Sequence, residues 1–199
     1  MRSNICKIEK GTRDLEAILK ESEKVAAYNE LTHKQSMQLR LLCEEIDGML
    51  PNIINDFDGD FWIDFEDGVC KVNVSIIVPE FDAQKKEGLI AISKNKKNAT
   101  VVGIVSKIRN AIEDFFLDEA AIEAMDVSSG AIGWATGLSE GVDYSYLWSL
   151  EQYRSSVGAN KKTEDWDEIE KSVIASVADD VLVGIKGKKV DIAIIKKFA

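Results

Sequence analysis

The sequence predicts one α/β domain of 199 residues, with a sheet packed on one side by helices. Three observations carry this. Apolar residues alternate with polar ones in residues 4–9, 61–65 and 70–78, and again in residues 181–198. Stripes at helical spacing separate those runs. The resulting order is strand, two helices, two or three strands, helix, a long insert, helix and two strands, which suits a two-layer arrangement.

Each element has a local reason. NICKIE alternates and predicts a short first strand. Gly11 and Thr12 open a helical stretch whose broken stripe is Leu15, Ile18, Leu19, Val25 and Ala26. Thr32 with Gln35 three residues on forms a capping-box pattern. The helix it starts buries Leu39, Leu42, Cys43, Ile46, Met49 and Leu50, and Pro51 is expected to end or kink it. DFDGDFWIDFED, from residue 56, has Phe61 where a calcium loop needs its sixth-position glycine, so it reads as an acidic turn leading into a strand. Gly68 marks a turn, CKVNVSIIV is a second strand, and residues 88–92 add a short third. Residues 98–117 predict a helix through Val101, Ile104, Val105, Ile108, Ile112, Phe115 and Phe116. Residues 118–163 read as an irregular insert containing a glycine-rich loop, a short aromatic helix (YSYLWSLEQYRSS) and an exposed link. Trp166, Ile169, Val173, Ile174 and Val177 give the last helix, which leads into a terminal hairpin, VLVGI and VDIAIIKKF.

Composition excludes several functions. A net charge of −10 repels phosphate backbones, and the lysine groups are short and separated, so nucleic-acid binding is not expected. One histidine and three cysteines without a CxxC pair argue against zinc and against Cys/His catalysis, and no metal site is expected. The odd cysteine count fits a reducing cytoplasm. No apolar run approaches the ~20 residues that cross a bilayer, so a soluble, cytoplasmic protein with no membrane partner is expected.

Three stretches in order resemble the GHKL (histidine-kinase-like) ATPases, nearest the anti-sigma-factor serine kinases. LRLLCEEIDG is similar to the helix carrying the family's N box. VSIIVPEFD stands against the strand end Val-Ser-Asp-x-Gly-x-Gly-Phe-Asp. SVADDVLVGIKGKKVDIAIIKKF resembles the final helix and hairpin, with residues 177–181 matching a Leu-Met-Asp-Glu-Val-like phrase. The resemblance implies a single Bergerat-type domain over residues 1–199: a two-layer sandwich with a mixed sheet, helices on one face, and residues 118–163 in place of the nucleotide lid.

Carried across by residue, the resemblance places Glu44 as the catalytic acid of the N box and Gly48 where a magnesium-holding Asn belongs. Ile76 occupies the adenine-binding Asp position, and Val78 and Glu80 those of two glycines. Glu168 and Glu170 stand where glycines would cradle phosphates. Glycine offers magnesium no oxygen. Losing the Asp removes a charged hydrogen bond of roughly 1.5–3 kcal/mol. Each carboxylate near the phosphates would oppose a triphosphate by about 4 kcal/mol at 4 Å and an effective dielectric near 20.

The leading expectation is therefore a GHKL-like signalling or regulatory protein that binds a protein partner (a sigma factor or regulator, by resemblance), without a cofactor and with ATP hydrolysis and kinase transfer lost. The aromatic segment Trp134, Tyr144, Tyr146, Trp148 and Tyr153 is the expected contact surface, or else a roof on the core. A homo-oligomer is left open. The alternative is a divergent but active ATP-binding serine kinase or ATPase. It would use Glu44 as base, magnesium on Asp47 or Asn52, and phosphates met by Gly130, Gly133 and Gly137. In a third reading the fold is an unrelated α/β one, Ile76–Val78 are ordinary core residues and Glu44 is a solvated helix residue.

Overall fold

The computed structural model describes residues 1–9, 14–54, 57–78, 103–124, 146–158, 172–186 and 188–198. Strand β1 (Cys6–Glu9) precedes helices α1 (Leu15–Tyr28) and α2 (His33–Ile53). Strands β2 (Asp58–Glu66) and β3 (Val69–Ile77) follow, then helix α3 (Ile104–Ala124), strand β4 (Tyr146–Ser149) and helix α4 (Leu150–Gly158). The short helix α5 (Val173–Val177) leads into β5 (Asp180–Lys186) and β6 (Lys189–Lys197).

The six strands form one sheet in the order β1-β2-β3-β6-β5-β4. Every pairing among the described residues is antiparallel, so the mixed sheet expected from the sequence is corrected. The β2–β3 hairpin closes on Asp67 and Gly68, both at positive φ (50° and 76°), a two-residue turn whose twist matches that of paired strands. The terminal hairpin lies inside this sheet, with β6 beside β3.

Alternation decides which face is covered. Phe61, Ile63, Val72, Val74, Ile76, Ile192 and Ile194 are buried, while their strand neighbours Trp62, Asn73, Ser75 and Ala193 remain half-exposed. The buried set meets Ile18 and Val25 of α1, Leu39, Leu42, Ile46 and Leu50 of α2, Ile108 of α3 and Ile174 of α5 in one contiguous core. Each such aliphatic side chain contributes about 1.5–3 kcal/mol on burial. The capping box is present: Thr32 Oγ1 accepts from Gln35 N at 3.4 Å, and Thr32 N donates to Gln35 Oε1 at 2.9 Å. Helix α2 packs against α1, α3 and α5, so it anchors the helical layer.

Three boundaries differ from expectation. Helix α2 continues through Pro51 to Ile53. The proline lies in the last turn, where it removes one donor, and the helix still closes with Ile54 N donating to Leu50 O at 3.0 Å. Helix α3 runs to Ala124, beyond the expected end at 117. Residues 146–149 are a strand paired with β5 rather than part of an aromatic helix. Residues 118–163 are thus not wholly irregular. Residues 88–92 lie outside the described residues. No helix among the described residues is long and apolar enough to cross a membrane.

Candidate functional site

Helix α2 carries two of the candidate positions on one flank. Glu44 is half-exposed, and its Oε1 accepts from Arg40 Nε at 3.0 Å, an i,i+4 pair. Arg40 also donates from Nη1 to Glu23 Oε1 of α1 at 2.9 Å, so one guanidinium ties Glu44 to the neighbouring helix. One turn on, Gly48 is exposed, and a Cβ built there meets nothing within 4 Å. Its carbonyl accepts from Asn52 Nδ2 at 3.3 Å. Asp47 lies on a different flank: it is 7% exposed, on the side that buries Cys43, Ile46 and Leu50. Of the two alternative magnesium positions, Asp47 is thus buried, whereas Asn52 is exposed on the flank of Gly48.

At the end of β3 the chain is closed. Ile76 is 0% exposed and stands in register between Gly59 of β2 and Val190 of β6. The approach over Gly59 is so close that a Cβ there would lie 2.7 Å from Ile76 Cγ2 and 2.2 Å from Ser75 O. The Ile76 side chain thus fills the room that glycine leaves. Val78 is buried at 8%, and its N–H donates to Lys188 O at 2.9 Å, continuing the strand pairing past Ile77. Ile76, wholly buried, therefore lines no solvent-accessible surface. Glu80, Glu168, Glu170, Gly130, Gly133 and Gly137 lie outside the described residues, as do Trp134 and Tyr144.

An open hollow of about 340 Å³ lies elsewhere, at the α1–α2 corner, lined by Glu23, Ala26, Ala27, Glu30, Leu31 and Ser36. It contains none of the expected site residues. The aromatic segment is half of what the sequence suggested: Trp148 and Tyr153 pack against the core with ring centroids 6.2 Å apart, and Lys107 of α3 lies 5.6 Å from the Tyr153 ring. Those two rings roof the core.

No family model, no curated protein and no solved structure matches this chain. The chemistry must be read from its own residues. Burial pushes the Cys43 thiol well up and raises that of Cys70 to about 12, so both stay protonated and poor nucleophiles. Among the described residues, no group of three or more His, Cys, Asp or Glu could hold a metal ion.

The residues whose role the sequence did not reveal are Asp179 and Asp180. The Asp180 carboxylate accepts from Ser149 Oγ at 3.1 Å, Glu151 N at 2.9 Å and Val181 N at 2.8 Å, which fixes the start of α4 to β5. Asp179 accepts from Lys197 N at 2.5 Å and Lys196 Nζ at 3.4 Å. Arg154 donates to Asp179 O and Ala175 O. The Asp-Asp phrase that carried the resemblance is here a clasp between helix and sheet. An acidic pair at a helix–strand junction is the signal that points to such a cap.

Proposed function

We propose that this chain is a GHKL-like regulatory protein that acts by binding another protein, its nucleotide chemistry given up to the core. The observation that carries this is Ile76, packed without solvent contact over Gly59 where the family's adenine-binding Asp would stand. The family-like frame is supported by helices on one face of the sheet and by a terminal hairpin inside the sheet beside β3. Glu44, the remaining catalytic position, is engaged by Arg40, which draws its carboxylate into an inter-helix tie. By resemblance the partner is of the signalling kind, a sigma factor or its regulator.

The test is thermal unfolding with and without magnesium-ATP. A ligand at 100 times its Kd adds about 2.7 kcal/mol. The expected result is an unchanged midpoint at millimolar ATP, together with retention of a protein partner in a pull-down from the native cell. A clear upward shift that Glu44→Ala abolishes would establish the active ATP-binding alternative instead.

A further inference from the structure

Every helix of the described residues stacks on one side of the sheet, and among the described residues no helix covers the other side. The cross-strand registers order that face. One row runs Trp62–Asn73–Ala193–Leu182 across β2, β3, β6 and β5. A second runs Asp58–Ile77–Lys189–Lys186 at the end of the same strands. Trp62, Ala193 and Leu182 are half-exposed, and Ile77 is 59% exposed. We propose that this face is the contact surface of a homodimer, with a second copy of the chain packed sheet against sheet.

Charge permits a second copy on this face. The chain carries −10, so two copies repel over most of their surfaces. On this face, however, ion pairs balance the charge: Arg2 with Asp64 at 2.7 Å, Lys7 with Asp60 at 2.8 Å and Lys189 with Asp191 at 3.3 Å. Size agrees. Four strands of seven to nine residues and two of four, about 4.8 Å apart and rising about 3.3 Å per residue, give a face of roughly 600 Å². Side-chain relief brings that near the ~800 Å² per partner of a standard stable interface.

Symmetry then makes the face self-complementary. A two-fold axis parallel to the strands, between β3 and β6, brings each β2 over β5 of the second copy. Trp62 then lies over Leu182 of the other copy, and Asp58 opposite Lys186, each contact occurring twice. This surface involves none of the nucleotide-site positions, so it stands or falls apart from the reading above.

Sedimentation equilibrium of the full chain at about 1 to 100 µM decides it. The expected result is a monomer–dimer equilibrium weakened about tenfold or more by Trp62→Glu, because a central aromatic dominates an interface. Asp58→Lys and Lys186→Asp should each weaken it, and the double variant should recover it. If circular dichroism shows that Trp62→Glu unfolds, the exposed charge pair carries the decision. A monomer at all concentrations, or a dimer indifferent to the charge reversals, overturns the proposal.

Discussion

The end of β3 and the outer flank of α2 are the two places that the proposed resemblance would join in one nucleotide site, and they contrast physically. At β3, Ile76 is sealed between Gly59 and Val190, and the strand pairing continues through Val78. On α2, Gly48 has open space where a side chain would go. One place is filled and the other is open. A filled position is part of the stability of the fold, whereas an open one has no packing to lose. Substitution should therefore be costly at the first and cheap at the second.

The largest effect tests the filled place. Ile76→Asp puts an unpaired carboxylate into an apolar core, at a cost of about 3–5 kcal/mol. Urea unfolding of the variant should show that loss, with partial relief as the pH drops and the carboxylate is protonated. A loss below about 1 kcal/mol would mean that water or a ligand reaches the site, and the contrast between the two places would fail.

The next effect lies in neither place but in the frame that holds them. Glu21 is desolvated, which alone would raise its pKa, but hydrogen bonds from Lys24 and Asn4 outweigh that and lower it. Asp64 is desolvated in the same way, and bonds from Arg2 and Trp62 bring it down. Both folded values lie below the ordinary ones of 4.5 and 3.8. Their stabilisation is thus complete above those values and is lost as pH falls through the lower folded ones. Urea midpoints measured from pH 6 down to 2 should fall in that lower range, and Glu21→Gln should flatten the fall. Because these carboxylates hold Arg2 and Asn4, acid should loosen the segment leading into β1 before it affects Ile76. Hydrogen exchange of residues 2–9 measures that directly.

The two places were also unequally legible in the sequence. Ile76 follows Val72 and Val74 at strand period, so its burial was written in the alternation. The flank of Glu44 and Gly48 follows from helical period, and the cap at Thr32 and Gln35 from a four-residue pattern. What local pattern did not carry was pairing. Strand β4 is followed at once by a helix, and only its ladder with β5 and the Asp180 clasp decide where one becomes the other. The all-antiparallel sheet depends on connections between distant segments, which period alone does not specify. Pro51 misleads because it deletes only one i→i−4 bond, and the last turn beyond it still closes through Ile54 N on Leu50 O.

The smallest effect tests the open place, and it has the opposite sign. A Cβ at Gly48 meets nothing within 4 Å, and the residue lies inside a 21-residue helix. Glycine there leaves more backbone freedom in the unfolded chain than alanine does, so Gly48→Ala should stabilise the protein by about 0.5–1 kcal/mol. The Gly48 carbonyl that receives Asn52 Nδ2 is backbone and survives the change. A rise in the urea midpoint with an unchanged slope is the expected reading. A fall would mean that something closes over this flank in solution. Gly48 would then serve a close approach, as Gly59 does, and the two places would be filled alike.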